Sequence, residues 1–387
     1  MGKEVKRILI VNYEYPPLGG GGGVATYDLA VEWAKKCQVD VLTSSFAGLP
    51  AFEKSDNINI YRVRILFRKS RDAATFISMA SFVFFGFFKG ISIIRKNRYD
   101  VMNTHFAVPT GPLGNILSKM FKIPNVLSLH GGDIYDPSKK LSPHKSPFFR
   151  KVVNNILRKA DAIVAQSQNT RDNAVKYYDV NKEVKIIPLA YHPPVMPKAD
   201  RKKLDIKEND YIITTVGRVI KRKAIDVAIN AIARIKDKKV KLYVMGDGPE
   251  KENLQNLAAD LGVQDRVIFL GFVDDEKKYR YLKASDVFIM TSLHEGFGIV
   301  FMEAMYAGLP VISTNHGGQT DFLFHEKNAL LIDVGDVDAC RKSIERIRKN
   351  PDLAARFSAN NKKAVKNFYA ENVALQYLEI FNSLSGV

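Results

Sequence analysis

Short apolar runs alternate with longer stretches of helical composition along almost the whole chain. In the first half, the runs that predict strands are Arg7–Val11, Val39–Thr43, Ile58–Val63, Val101–Asn103, Asn125–Leu129 and Ala162–Ala165. The pattern restarts in the second half at Tyr211–Val216, Lys241–Met245, Val267–Leu270, Val287–Met290, Val311–Ser313 and Ala329–Ile332. Strands that alternate with helices are typical of parallel sheets with helices on both faces. The sequence therefore predicts an α/β protein.

The two halves are joined by a segment of different composition, Pro188–Lys203, which contains four prolines and a basic run. Such a segment is typical of a linker without a packed core of its own. A chain of 387 residues with 46% hydrophobic content is long enough for two domains. We predict two Rossmann-like domains, 1–192 and 193–366, that face a central cleft, where open α/β sheets bind ligands beyond the carboxyl ends of their strands.

One segment interrupts this pattern. Ala73–Phe88 has sixteen residues without a charge and is rich in phenylalanine. A core helix explains much of this, but the basic residues just before it also suit a membrane interface. Lys89 and the position within the βαβ pattern count against a membrane span. We expect partial burial with an interfacial edge.

The formal net charge of +17 is unevenly distributed. Residues 1–190 hold 28 Lys and Arg against 15 Asp and Glu, a net charge of +13, which leaves +4 for the rest. Either the first half faces an anionic partner or the charge only keeps the protein soluble. Cys37 and Cys340 form no zinc or disulfide pattern, which fits a reducing, cytoplasmic setting. The apolar run Ile8–Val11 is too short for a signal-peptide core, so we interpret it as a strand.

Five consecutive glycines, Gly19–Gly23, separate the first strand from a helix that we expect to begin near Val24. Glycines let the backbone approach a ligand and leave a helix N-terminus open to an anion. No Gly-Lys-Ser/Thr follows, so this is not a Walker A loop. A purely flexible linker is the alternative, but the strand–loop–helix context favours a mobile functional loop that includes Gly22 and Gly23.

The motif His130-Gly131-Gly132-Asp133 follows the strand that ends at Leu129. The strand end would place the His130 imidazole at the edge of the cleft, where it can donate to a sugar hydroxyl or shield developing positive charge. A structural histidine is the alternative. Asp133 either orients a ligand hydroxyl or caps the next turn, and the sequence does not separate the two roles.

Basic side chains follow the first strand of the second half, after Gly217. Arg218 could hold a diphosphate by a bidentate fork and Lys223 as a point charge, whereas Lys221 and Arg222 are expected to be solvated. Two further strand ends carry Gly246 with Gly248, and Phe272 with Val273. Backbone groups at these ends could contact a nucleotide base.

Two carboxylates, Glu295 and Glu303, flank a Gly296-Phe297-Gly298 turn. The glycines place Glu295 in a loop, and the apolar run from Ile299 predicts a helix that carries Glu303. The N-terminus of that helix could bind phosphate, and a carboxylate one turn in could bind a sugar diol. A buried loop with one solvated and one capping acid is the alternative. Asp336 and Asp338 form a DxD by letters, but they lie away from the predicted cleft, and we expect no metal site.

The chain resembles the retaining GT-B glycosyltransferases of family 4 from Gly19 to about Leu331. The resemblance rests on six motifs in this order: the glycine loop, HGGD, GRxxxxK, GxGP, GF-V and EGFGxxxxEA. Glu295 and Glu303 match that family's E-x7-E signature. The local loops depart from it at Lys223-Ala224, Leu189-Ala190 and the segment from Gly317 to Asp321.

The resemblance implies a role for each site residue. Glu303 would bind the donor ribose and Glu295 the donor sugar near its 3-hydroxyl. Arg218 and Lys223 would hold the diphosphate, and His130 would lie beside the transferred sugar. Gly22, Gly23, Asp133, Gly217, Gly246, Gly248, Phe272, Val273, Gly296, Phe297, Gly298 and Ile299 would line the donor site. The final segment, 367–387, would cross back to the first domain.

These features predict a hexosyltransferase of EC class 2.4 that uses a nucleotide-diphosphate sugar with retention and, as the family implies, without a cofactor or catalytic metal. The acceptor would bind the basic first domain. The phenylalanine-rich segment adds the expectation of a lipid-linked or membrane-surface acceptor and a peripheral position on the inner face of the membrane. Two alternatives stay open: an epimerase acting on a nucleotide-sugar, and a basic nucleic-acid-binding protein. Against the second, aromatic residues are not interleaved with the basic clusters.

Overall fold

The structure is a computed structural model that describes residues 4–46, 48–68, 75–139, 141–198 and 200–385. It divides into two compact units, Met1–His192 with Phe368–Val387, and Pro193–Asn367. The final helical segment therefore belongs to the first unit. Each unit has its own sheet and its own apolar core.

The first unit contains an eight-stranded sheet in the order β3-β4-β2-β1-β5-β6-β7-β8. Its strands are β1 (Arg7–Asn12), β2 (Gln38–Ser44), β3 (Phe52–Ser55), β4 (Ile58–Val63), β5 (Val101–His105), β6 (Asn125–Leu129), β7 (Ala162–Ala165) and β8 (Val184–Ile186). All neighbours pair in parallel except β3 and β4, which are antiparallel. The central strands are buried on both faces, as parallel strands covered by helices must be.

Six helices pack on this sheet among the described residues. They are α1 (Gly21–Ala34), α2 (Phe76–Lys96), α3 (Gly111–Phe121), α4 (Pro147–Lys159), α5 (Gln168–Tyr177) and, from the end of the chain, α12 (Ala370–Ser385). Helix α12 lies against α1, where the Trp33 Nε1 donates a hydrogen bond to the carbonyl oxygen of Ala374 at 3.2 Å. Tyr377 and Phe381 pack edge-on against the Trp33 ring. The last helix is thus part of the first unit's core.

The second unit contains a parallel six-stranded sheet in the order β11-β10-β9-β12-β13-β14. Its strands are β9 (Tyr211–Val216), β10 (Val240–Met245), β11 (Val267–Gly271), β12 (Val287–Met290), β13 (Val311–Thr314) and β14 (Ala329–Ile332). Its helices are α6 (Ile225–Ala233), α7 (Lys251–Asp260), α8 (Asp275–Ala284), α9 (Ile299–Ala307), α10 (Val337–Lys349) and α11 (Pro351–Ala364). In a parallel sheet the carboxyl ends of all strands lie at one edge, so the loops after β9, β10, β11 and β12 are brought together.

All twelve predicted strands are present, several of them one or two residues longer than predicted. Strands β3 and β8 were missed. Both lie at edges of the sheet, where β3 is largely exposed and β8 has only three residues, so neither shows the apolar pattern of a buried strand.

Two local predictions were wrong. Helix α1 begins at Gly21, three residues earlier than expected, because the Gly23 and Val24 amides already donate to the Gly20 carbonyl. The predicted linker also begins too early. Leu189, Ala190 and Tyr191 are buried, and Tyr191 pairs with the chain at Phe368–Ala370 through two backbone hydrogen bonds.

Helix α2 carries most of the phenylalanine-rich segment; Ala73 and Ala74 lie outside the described residues. One side of the helix, which includes Phe82 and Ile93, packs into the core. Phe76, Phe84 and Phe88 on the other side are 72%, 60% and 57% exposed. The helix is therefore half buried, with an aromatic outer face.

Candidate functional site

The turn before helix α9 is shaped by Gly298, whose φ of 91° only glycine adopts without strain. A Cβ at this position would lie 2.7 Å from the Phe301 ring. No side chain caps the helix, so its first amides are available to an anion. Glu295 lies in the loop and Glu303 in the helix, as the glycines predict.

Glu295 is buried between two cations. Lys223 Nζ lies 2.7 Å from its Oε1 and Arg222 Nη1 lies 3.3 Å from its Oε2. Burial alone would raise the pKa of Glu295, but Lys223 and then Arg222 outweigh it and lower the pKa to about 2. Glu295 is therefore a fixed carboxylate at neutral pH.

The backbone of Glu295 is also held in place. The Gly318 amide donates to its carbonyl oxygen at 2.8 Å, and Gly317 approaches so closely that a Cβ there would lie 2.6 Å from the same oxygen. The loop after β13 thus fixes the backbone of Glu295.

Glu303 forms a second ion pair, with Lys278 of helix α8. Lys278 Nζ lies 2.7 Å from Glu303 Oε1. Burial raises the pKa of Glu303, and the Lys278 charge opposes this only in part. The second oxygen, Oε2, is buried and makes no hydrogen bond of normal geometry to the described residues, although the neighbouring Tyr279 side chain helps to lower the pKa.

The loop after β9 carries the predicted diphosphate ligands. The Arg218 side chain is exposed, and we find no ion pair to it within the described ranges. Lys223 points to Glu295 instead of to solvent. The expectation that Arg222 is solvated was wrong, because this side chain is mostly buried and also donates to the His294 carbonyl oxygen at 2.5 Å.

Three site glycines allow backbone segments to cross closely. Gly246 has a φ of 133°, and a Cβ there would lie 2.0 Å from the Gly217 carbonyl oxygen. A Cβ at Gly248 would lie 2.3 Å from the Val219 carbonyl oxygen. Gly217 itself has a φ of 144°. The loops after β9 and β10 therefore pack directly on each other. This close packing explains why glycine occupies these positions, whether or not a ligand binds there.

The aromatic residues of the predicted donor site differ in exposure. The Phe272 ring is 82% exposed beside the half-buried Val273, at the end of β11, and is free to stack on a base. The Phe297 ring is buried against Phe322, so its side chain is not free to stack on a ligand.

In the first unit, His130 follows β6 and is held on several sides. Its Nε2 lies 3.0 Å from Nδ1 of His105, at the end of β5, and its ring stacks on Phe106 at 4.1 Å. Burial lowers the pKa of His130 to about 3, so the ring is neutral. Gly22, in the first turn of α1, packs against it, since a Cβ there would lie 3.1 Å from His130 Nδ1.

Asp133 has a turn-forming role. Its Oδ1 accepts from the His130 amide at 3.0 Å and its Oδ2 from the Ala107 amide at 2.6 Å. Burial raises its pKa to about 6, although these backbone amides oppose the shift. These two bonds tie the start of the HGGD turn to the loop after β5, and a contact of Asp133 with a ligand hydroxyl stays a prediction. Gly23, another residue predicted to line the donor site, contributes an amide to the first turn of α1.

The DxD sequence of Asp336 and Asp338 lies at the N-terminus of helix α10. Asp336 caps α10 by accepting from the Ala339 amide, and Asp338 pairs with Arg341 and Lys342 along the helix surface. These contacts give both acids a structural role. Among the described residues no group of three or more His, Cys, Asp or Glu side chains is arranged for a metal ion.

Sequence reasoning missed three residues of these clusters: Arg222, Lys278 and His105. Lys278 is one of three lysines on helix α8, and nothing in the local sequence distinguishes it from the other two. His105 did carry a signal, because it ends strand β5 as His130 follows β6, next to it in the sheet.

Two family models match the chain, one on each unit. Residues 19–193 match Glycosyltransferase Family 4, and residues 197–364 match Glycosyl transferases group 1. An uncharacterized glycosyltransferase of Methanocaldococcus jannaschii is 28% identical over 390 residues, which cover 97% of each chain.

Solved structures share the fold. The sucrose-phosphate synthase of Thermosynechococcus elongatus has a TM-score of 0.86 at 23% identity and covers 98% of this chain and 99% of its own. HepE of Anabaena in complex with UDP-glucose has a TM-score of 0.77 at 20% identity and covers 97% and 99%.

The two parallel-sheet units define a GT-B fold. The chain belongs to the GT-B glycosyltransferases of family 4 and is thus a transferase of EC class 2.4. This membership takes the place of the epimerase and nucleic-acid-binding alternatives.

Proposed function

We propose that this glycosyltransferase takes its sugar from a nucleotide-diphosphate donor held on the second unit, and transfers it with retention. The observation that carries the proposal is the pair of buried salt bridges, Lys223–Glu295 and Lys278–Glu303, on either side of the uncapped start of α9. Two fixed carboxylates beside an anion-binding helix end suit a sugar, a ribose and a diphosphate.

The diphosphate would be neutralised by three sources of positive charge. Arg218 is exposed, and no ion pair joins it to another described residue, so it can turn to a phosphate without breaking an ion pair. Lys223 is already ordered by Glu295. With the α9 amides, these groups stabilise the charge that develops on the leaving diphosphate, which is the role that the resemblance gives them in place of a metal ion.

Glu303 would bind the ribose. Its Oε1 is occupied by Lys278, which leaves Oε2 as the acceptor for a ribose hydroxyl. A carboxylate positioned by a lysine loses little rotamer freedom when the ligand arrives. The UDP-glucose bound by HepE supports a nucleotide-sugar donor for a chain of this fold.

Binding of UDP-, GDP- and ADP-sugars, measured by calorimetry, tests the donor. We expect the sugar of one nucleotide to bind. Glu303→Gln should weaken the affinity for that donor by about tenfold, which corresponds to the loss of one hydrogen bond to a charged group. Asp338→Asn on the surface of α10 is the matched control and should bind normally. Folded protein that binds none of the three donors would refute the proposal.

Retention is tested on the product. We expect the anomeric proton coupling of the new glycosidic bond, measured by NMR, to report the same anomeric configuration as the donor sugar. An inverted configuration would contradict this part of the proposal and leave the donor assignment standing.

We further propose that the acceptor is presented at an anionic membrane surface. Phe76, Phe84 and Phe88 of α2 are exposed, and α2 packs on α3, where Ile116 and Met120 are exposed as well. Among the described residues, α2 alone is long and apolar enough to cross a membrane, but one side of it packs into the sheet. A helix with one side in a domain core and the other apolar suits a peripheral, interfacial position.

The charges around the exposed apolar residues of α2 and α3 favour anionic lipid as the partner of this surface. Lys119 and Lys122 are exposed at the end of α3, and Arg95 and Lys96 are exposed at the end of α2. The first half of the chain also carries the +13 excess. Each cation near an anionic surface contributes on the order of 1 kcal/mol to binding.

Flotation with vesicles separates the possibilities. We expect the protein to float with phosphatidylglycerol vesicles but not with phosphatidylcholine vesicles, and Phe84→Ser/Phe88→Ser to stay in the soluble fraction. Phe324→Ser, an exposed phenylalanine of the second unit, is the control and should float normally. A wild-type protein that floats with neither kind of vesicle would contradict the membrane-surface proposal.

A further inference from the structure

Four polar groups form a continuous chain of hydrogen bonds inside the first unit. Asn12 Nδ2 donates to Thr26 Oγ1 at 3.0 Å, Thr26 Oγ1 lies 3.2 Å from His105 Nδ1, and His105 Nδ1 lies 3.0 Å from His130 Nε2. Asn12, Thr26 and His105 are almost completely buried. The chain ends at His130, which is the residue that the family resemblance places beside the transferred sugar.

The direction of these bonds follows from the number of protons available. Thr26 has one hydroxyl proton, which it donates to the Gly22 carbonyl oxygen at 2.8 Å. The Thr26 oxygen can therefore only accept from His105, so His105 Nδ1 must carry the proton. That N–H is shared between Thr26 Oγ1 and His130 Nε2, both of which accept.

Both imidazoles are neutral, since burial lowers the pKa of His130 to about 3 and lowers that of His105 well below its ordinary value. A neutral imidazole has one proton. If His130 Nε2 accepts from His105, then the proton of His130 is on Nδ1.

We propose that His105 is a positioning residue that fixes His130 in its Nδ1–H tautomer and so makes it a hydrogen-bond donor toward a ligand. His130 Nδ1 is buried and has no partner among the described residues. It borders Gly22, the position where a side chain would close the space next to it. The N–H is thus held ready for a ligand oxygen.

The functional side of this inference rests on the proposed sugar transfer, in which a bound sugar would supply the oxygen that His130 contacts. A donor N–H fixed in advance avoids the cost of reorganising the tautomer when the ligand binds. The tautomer itself is a property of the free protein and can be measured without any substrate.

Long-range proton–nitrogen NMR spectra of histidine-labelled protein give the direct test. We expect the His130 signals, assigned by their loss in His130→Asn, to show a protonated Nδ1 and an unprotonated Nε2. A protonated Nε2 would overturn the proposal about the tautomer, and this result would not depend on whether the proposed function is correct.

Substitution of His105 gives the second test. The amide nitrogen of His105→Asn can replace Nδ1 as donor to His130, whereas His105→Leu has no donor. We expect His105→Leu to lower kcat by about tenfold, roughly one hydrogen bond, and His105→Asn to recover most of that loss.

A double-mutant cycle separates positioning from a general structural effect. If His105 acts through His130, then His105→Leu has little further effect on kcat in a His130→Ala background. An equal loss in both backgrounds would show that His105 only supports the fold. Thermal unfolding of each variant checks that the comparison is made on folded protein.

Discussion

Lys223 and Glu295 form a buried ion pair, with Nζ 2.7 Å from Oε1 and side chains that are 13% and 6% exposed. The two residues are 72 positions apart in the sequence, yet they lie in the loops that follow adjacent strands, β9 and β12. The lysine that we assign to a diphosphate is therefore already ordered by the carboxylate that we assign to the sugar.

Removal of the lysine should destabilise the protein. Lys223→Met leaves Glu295 buried with Arg222 alone, and a broken buried pair typically costs about 3 kcal/mol or more in the free energy of unfolding. Urea unfolding measures this. Lys221→Met, an exposed neighbour in the same loop, is the control and should change the free energy by less than about 0.5 kcal/mol.

The double variant Lys223→Met/Glu295→Gln makes the test sharper. It removes both charges, so we expect stability to recover in part while donor binding stays weak. Lys223→Met with unchanged stability would contradict the ion pair.

The Glu295 pair also predicts a pH dependence. The pKa of Glu295 falls from an ordinary 4.5 to about 2 in the folded protein, so the folded state binds fewer protons than the unfolded state between these values. Its contribution, about 3 kcal/mol, is present above pH 4.5 and is lost as the pH falls toward 2.

Unfolding free energies at pH 6 and pH 3 measure this loss. We expect the wild type to lose about 2 kcal/mol more than Glu295→Gln over this interval, because the variant has no carboxyl group to protonate there. Equal losses would show that Glu295 does not carry the acid sensitivity.

The close approach of two loops gives a prediction about glycine. At Gly246 a Cβ would lie 2.0 Å from the Gly217 carbonyl oxygen, and the φ of 133° disfavours any side chain. Gly246→Ala should lower the unfolding free energy by roughly 3 kcal/mol. Gly262→Ala, with a φ of 66° and open space around it, should cost only about 1 kcal/mol. Similar costs at the two positions would contradict the close loop packing.

The fold was predictable wherever burial left a pattern. Buried strands such as β6 and β12 are mostly or wholly apolar, and glycines such as Gly298 mark the turn that separates Glu295 from the helix of Glu303. Strand β3, FEKS, is exposed on an edge and has no such pattern.

The partners of the site residues were not predictable for a different reason. The contact of Lys278 with Glu303 joins two separate helices and is encoded by no local spacing, whereas His105 and His130 could be paired only once β5 and β6 were known to be adjacent. Arg222 and Lys223 are neighbours with the same charge. Only the folded position of Glu295 between them shows that both form ion pairs with it. Pairing of this kind depends on sheet order, which the strand pattern leaves open.

The last helix gives a prediction about the core of the first unit. Phe381 is fully buried, with its ring centroid 5.1 Å from that of Trp33. Phe381→Ala should lower the free energy of unfolding by about 3 to 5 kcal/mol, because it opens a cavity beside the indole. Leu375→Ala, a half-exposed position of the same helix, should cost less than about 0.5 kcal/mol.

Trp33 is the one tryptophan of the chain, so its fluorescence reports this region alone. We expect Phe381→Ala to shift the Trp33 unfolding transition to lower denaturant while Leu375→Ala leaves it in place; equal transitions in both variants would show that α12 does not support the core around Trp33.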